Sequence, residues 1–142
     1  MAHILVVDDI DVVRMAVRMV LQRAGHTVDL AADGAEALIV VASRTPDAVI
    51  TDLWMPNLDG LDLIRILRSQ FPAVAVVAMS GGSRQYNQQS SLAEARSAGV
   101  TQLLMKPVSK QDLLDAVGES MKAQLAALNT TASCLVTASL KL

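Results

Sequence analysis

The chain has 142 residues, 52% of them hydrophobic but only 2% aromatic, which is enough for one domain with an aliphatic core and too little for a second. A formal net charge of -2 with the two signs mixed provides no basic stripe of the kind a phosphate backbone requires, so no direct nucleic-acid partner is expected. The longest apolar stretches, such as Ala73 to Met79, fall far short of the roughly 18 residues of a membrane span; no basic segment leads an apolar one at the N-terminus, and the single cysteine, Cys134, cannot form an internal disulfide, so a cytoplasmic protein with no membrane contact is expected.

In chain order, His3 to Val7 is an apolar run of strand length that ends on Asp8 and Asp9. Val12, Val13, Ala16, Val17, Val20 and Leu21 then repeat at helical spacing until Gly25, and Thr27 to Ala31 reads as a second strand. Asp33, with Glu36 three positions on, is a helix-start signal ahead of Ala37 to Ala42. Pro46 marks the turn into a third strand that ends on Asp52, and Leu61, Ile64, Leu67 and Arg68 belong to a third helix that stops before Pro72. Val74 to Met79 is a fourth strand ending on Ser80, Gly99 closes a fourth helix, and Gln102 to Met105 is a fifth strand ending on Lys106. Ser109 and Asp112 open a fifth helix with a stripe of Leu113, Val117, Met121 and Leu125. Five alternating strand-helix units predict a doubly wound parallel sheet flanked by five helices.

Taken singly, the strand-end residues are ordinary. An Asp pair after a strand caps the next helix, Ser80 before two glycines is turn chemistry, and Lys106-Pro107 is a surface lysine entering a turn. Taken together they carry more, because parallel strands place their carboxyl ends along one edge, where open α/β sheets bind ligands. Three carboxylates, a hydroxyl and an ammonium then converge on one pocket.

With Asp8-Asp9, Asp52 followed by Met55-Pro56 and Asp59-Gly60, Ser80, Ala98-Gly99 and Lys106-Pro107, residues 1–128 closely resemble a receiver domain of the two-component response regulators, of the single-domain chemotaxis type. The resemblance implies the flavodoxin-like receiver fold. It also implies that Asp52 becomes phosphorylated by a histidine kinase or histidine phosphotransfer protein, and that a cis peptide precedes Pro107. Clustered carboxylates repel one another unless a hard divalent cation takes their oxygens, and Mg²⁺ suits such a set. Asp8, Asp9 and Asp52 are the expected ligands, with the Trp54 backbone carbonyl as a fourth. Lys106 serves as a point charge during transfer, and Ser80 answers the phosphoryl oxygens. Such a protein catalyses only its own phosphorylation and dephosphorylation. Its output is a phosphorylation-dependent contact with a downstream protein or a second copy, through the fourth helix, fifth strand and fifth helix, roughly residues 90–128.

The chain departs from the usual receiver pattern at several points. Leu103 stands where an aromatic switch residue is common, which points to ordering of the loop around Tyr86 in place of a ring movement. Trp54 is bulky and Gly82 offers no side chain to guide a hydrolytic water, so self-dephosphorylation is expected to be slow. Residues 129–142 read as a flexible tail without a DNA-binding module, leaving output to a separate protein. Other classes are a relay shuttle and a phosphorylation-independent module of the same fold; the retained acidic and lysine positions argue against the latter. A flavin or nucleotide binder is disfavoured by the two aspartates after the first strand.

Overall fold

The structure, a computed structural model, describes residues 2–53, 58, 60–80, 93, 96–100 and 102–140. Its elements are β1 (His3–Val7), α1 (Asp11–Arg23), β2 (Thr27–Ala31), α2 (Gly34–Ser43), β3 (Ala48–Asp52), α3 (Gly60–Gln70), β4 (Ala75–Ser80), β5 (Gln102–Met105) and α4 (Lys110–Leu140). Five strands pair in parallel in the order β2-β1-β3-β4-β5, as the alternating pattern predicts. Four helices are described rather than the five expected. The helix expected between β4 and β5 falls mostly outside the described residues, of which Ala93, Arg96 and Ser97 are helical.

Local chemistry sets the boundaries. Gly25 takes a φ of 95°, and the Gly25 and His26 amides donate to the Gln22 and Leu21 carbonyls, closing α1 with paired C-terminal hydrogen bonds. Gly99, with a φ of 107°, plays the corresponding role before β5. Asp33 accepts the Glu36 amide at 2.8 Å, and the Glu36 carboxylate reaches back to the Ala32 amide at 3.3 Å, so α2 starts where its capping signal lies. Ser109 Oγ accepts the Asp112 amide at 3.1 Å at the head of α4.

The strands read as unbroken apolar runs because both faces of the sheet are covered. Alternate residues divide between two cores. Leu5, Val7, Val49, Val76 and Ala78 pack with Ala37, Val41, Ile64 and Leu67 of α2 and α3. Ile4, Val6, Ile50, Val77 and Met79 pack with Val17 and Leu21 of α1 and Leu113 and Val117 of α4.

The helix does not stop at the domain boundary expected at residue 128. α4 continues to Leu140, so residues 129–140 are helical. Neither Gly nor Pro occurs after Gly118, and α4 runs through Asn129, a weaker C-terminal signal. Among the described residues no helix is long and apolar enough to cross a membrane.

Candidate functional site

β1 and β3 are neighbours in the sheet but not in sequence, and the chain turns to opposite sides of β1 to form β2 and β3. A crevice outside the carboxyl ends of the strands opens at such a reversal. Asp8 follows β1 and is fully buried, Asp9 beside it is exposed, and Asp52, the last residue of β3, is 5% exposed. One carboxylate oxygen from each of the three lies within 4.8 Å of the others.

Lys106 enters this cluster from the far end of β5. Its Nζ donates to Asp8 Oδ2 at 2.7 Å and to Asp52 Oδ2 at 3.1 Å, with the lysine side chain itself 15% exposed. Burial alone would lower the ammonium pKa. The hydrogen bond to Asp8 and the charges of Asp52 and Asp8 outweigh it and hold the pKa above the usual 10.5. The Lys106-Pro107 bond is cis, as the sequence resemblance implied.

Backbone ladders carry the strand ends into place. The Lys106 amide donates to the Ser80 carbonyl at 2.9 Å, the Leu53 amide to Met79 at 3.0 Å, and the Asp8 amide to Ala31 at 3.2 Å. Ser80 closes β4 and is buried, on the same edge as Asp52, whose register partner is Met79.

Other residues hold the cluster, of which only Gly60 is named in the sequence reading, as part of the motif and not for this contact. The Ile10 amide donates to Asp8 Oδ1 at 2.9 Å, so both Asp8 oxygens are engaged. Arg14 Nη1 donates to the Asp8 carbonyl at 2.6 Å while Nη2 pairs with Asp11. Buried Thr51 donates to the Asp52 carbonyl at 2.9 Å. Gly60 lies directly on the end of β3, its amide donating to the Leu53 carbonyl at 3.1 Å. The Asp8-to-Ile10 bond is an Asx turn, legible in principle from an Asp at a strand end. Arg14 reaches the site only through helix packing, and no spacing rule points to it; Gly60 belongs to the motif, but its contact with the end of β3 is not legible from spacing.

The structure therefore brings together Asp8, Asp9, Asp52 and Lys106, with Ser80 on the same edge. Trp54, Met55, Pro56, Asp59, Gly81, Gly82 and Tyr86 lie outside the described residues. Among the described residues the pocket is three carboxylates against one ammonium, all hard oxygen donors apart from the lysine, with an open side at Asp9. That donor set fits Mg²⁺, which prefers carboxylate oxygen and keeps several waters.

Comparisons with known proteins bear on the family and the fold. A family model described as the response regulator receiver domain matches residues 4–118. The chain is 40% identical over 112 residues to the response regulator MprA of Mycobacterium ulcerans, covering 79% of this chain and 47% of that protein. MprA of Mycolicibacterium vanbaalenii is likewise 40% identical, with the same shares. The chain thus spans about half the length of the curated relatives it matches. Among solved structures, a receiver domain protein from Clostridium thermocellum superposes with a TM-score of 0.80 at 29% identity, covering 89% of this chain and 99% of that one. NtrX from Brucella abortus, solved with ADP, gives a TM-score of 0.83 at 28% identity, covering 92% of this chain and 29% of that one.

Proposed function

The chain belongs to the response regulator receiver domain family, and on that premise we propose that Asp52 accepts a phosphoryl group from a phosphohistidine or a small acyl phosphate. The domain then signals by a changed contact with another protein. The observation that supports this most directly is the Lys106 ammonium held between Asp8 and Asp52 at the strand edge. A carboxylate that is buried, aimed at the pocket and faced by a fixed cation is placed to attack phosphorus while the cation offsets charge on the phosphoryl oxygens. As the Asp52 oxygen-to-phosphorus bond forms, the P–N bond of a phosphohistidine or the P–O bond of an acyl phosphate breaks, and the imidazole or the carboxylate leaves with the electron pair. Asp8 keeps the ammonium in position, and the Ser80 hydroxyl is the donor for a phosphoryl oxygen. Asp8, Asp9 and Asp52 would hold Mg²⁺, with the Trp54 carbonyl as a fourth ligand from the family resemblance. When bound, the ion supplies further positive charge at the phosphoryl group. On this reading the chain is cytoplasmic and acts on no other substrate.

The test is intact mass with peptide mapping after incubation with acetyl phosphate and Mg²⁺, against the same incubation with the metal chelated. A metal-dependent phosphoryl adduct on Asp52 is expected. An adduct at another residue, or one indifferent to the chelator, would overturn the assignment.

The surroundings of the pocket bear on the donor. Ile10, Val12, Met15 and Met19 are 49%, 77%, 43% and 46% exposed, a run of apolar side chains at the head and outer face of α1. Beside it, Val13, Met79, Pro107 and Val108 line a cleft of about 460 Å³ that reaches Lys106. A protein bringing a phosphohistidine to Asp52 has to cover this apolar rim, whereas acetyl phosphate does not. Val12→Asp with Met15→Glu is therefore expected to slow transfer from a phosphorylated histidine phosphotransfer protein at least tenfold, about 1.4 kcal/mol of docking energy, and to leave acetyl phosphate labelling unchanged. Equal slowing of both reactions would mean that the substitutions damaged the pocket instead.

A further inference from the structure

A cavity of about 570 Å³ opens between the second half of α3 and the stretch before β5, lined by Arg65, Arg68 and Ser69 on one side and Ala93, Ser97 and Ala98 on the other. α3 starts at Gly60, against the end of β3, and Arg68 lies about 12 Å along the helix from it. The cavity is therefore separate from the strand-end pocket.

Its wall is cationic, and among the described residues no Asp or Glu lines it. The Arg68 stem passes over Gly99, where an added Cβ would meet Arg68 Cδ at 2.8 Å and Cγ at 2.9 Å, so the glycine leaves the room that this side chain takes. The guanidinium at its tip has only a neutral partner. Nη1 donates to Gln124 Oε1 at 2.8 Å, while Nε and Nη2 are buried and have no acceptor. Burial lowers the Arg68 pKa, and no carboxylate raises it back. A half-buried cation without a counter-ion is unfavourable, and an anion brought near it reduces the penalty. Arg65, on the same wall, pairs with Asp62 at 3.2 Å, but both side chains are more than half exposed, so that pair is weak and readily exchanged.

We infer that this cavity binds a small molecule carrying a phosphate group. The Arg65 guanidinium and the hydroxyls of Ser69 and Ser97 supply the donors, and the uncompensated charge of Arg68 supplies the field that draws the anion in. Two hydroxyls and a guanidinium match the three outer oxygens of a phosphate group better than the two of a carboxylate. The volume falls within the range of about 300 to 1,000 Å³ that small-molecule pockets occupy, and the small side chains of Ala93 and Ala98 leave space for the organic part of an ester. None of these residues belongs to the strand-end pocket, so the inference does not rest on the phosphoacceptor reading.

The test is calorimetric titration of the full chain with glucose 6-phosphate, with inorganic phosphate and with glucose, in chelator and about 0.15 M sodium chloride, so that neither a bound metal nor unscreened surface charge decides the result. Saturable binding of glucose 6-phosphate and none of glucose is expected. Equal affinity for inorganic phosphate assigns the site to the free anion, and tighter binding of the sugar phosphate assigns it to an ester; either supports the inference. Arg65→Gln with Ser97→Asp, both at exposed positions, should weaken binding at least tenfold. Arg44→Gln removes one positive charge at another exposed position and should leave binding unchanged. Arg68→Gln should weaken binding as well, and the exposed pair decides the matter if that variant unfolds. Absence of saturable binding, binding unmoved by the exposed pair, or equal weakening by Arg44→Gln overturns the inference. So does binding to phosphatidic acid vesicles without binding of either soluble phosphate. Acetyl phosphate should still label Asp52 in the exposed pair; failure to label the wild type sinks the phosphoacceptor reading and leaves the cavity standing.

Discussion

Lys106→Met is expected to lose about 3 to 5 kcal/mol of folding stability in the presence of a chelator, and phosphoryl uptake by Asp52 should fall by about 10²- to 10³-fold. Both effects have one cause. Asp8 is fully buried and Asp52 is 5% exposed, and the ammonium between them at 2.7 and 3.1 Å is the cation seen to offset their charge. Methionine fills the volume of the lysine stem but leaves two buried carboxylates facing each other, and an uncompensated buried charge costs more than an absent ion pair. Mg²⁺ should restore part of the lost stability by mass action, because its ligands survive the substitution. It should not bring uptake to the wild-type rate measured with Mg²⁺, since the second positive charge at the phosphoryl oxygens is still missing. Urea unfolding with and without Mg²⁺ separates the two effects; a variant as stable as wild type in chelator would show that the bridge contributes nothing.

The pH dependence of this difference has a definite sign. The Lys106 pKa is raised in the folded state: burial works to lower it, but the Asp8 hydrogen bond and the charges of Asp52 and Asp8 win. A raised folded pKa means that the contribution is fully present below the unfolded value, about 10.4, and disappears as pH rises through the folded value. On the alkaline side the stability gap between wild type and Lys106→Met in chelator is expected to hold from neutrality upward and to narrow only in strong alkali. A gap that closes between neutral and mildly alkaline pH would contradict the assigned shift.

The fold was legible because every strand is short, apolar and bounded by a turn residue or a charged end, and both sheet faces are buried. Asp8, Asp52 and Lys106 could be placed together for the same reason: strand ends in a parallel sheet converge whatever the loops do. Legibility fails where a position depends on how a helix lies against the sheet. Arg14 reaches the Asp8 carbonyl from α1, and Gly60 sits on the end of β3, through contacts that no sequence period encodes. The run of α4 to Leu140 was not legible for a different reason: the boundary at 128 followed the extent of the resemblance, and the uncharged, mixed composition after it gives a helix no periodic signal to read.

Gly60 supplies the second large effect. A Cβ added there would lie 2.7 Å from Leu53 Cα and 2.9 Å from the Asp52 carbonyl carbon, with the Asp52 carbonyl oxygen closer still. All three atoms are backbone, so no side chain can swing aside. To admit a methyl group, α3 has to move off the end of β3, which lengthens the hydrogen bond from Gly60 to Leu53 and displaces the carbonyl that buried Thr51 holds. Gly60→Ala is therefore expected to cost about 3 kcal/mol, the upper end of overpacking penalties, and to slow phosphoryl uptake even in the molecules that remain folded. Gly118→Ala is the matched control. It lies within α4, and a Cβ there meets nothing within 4 Å, so the same substitution should stabilise by about 0.5 to 1 kcal/mol through helix propensity alone. Opposite signs in the two melting curves would place the effect in the contact with Asp52 and not in the loss of a glycine. If Gly60→Ala melts with wild type and takes up phosphate at the same rate, the close approach of α3 to the phosphoacceptor strand is wrong.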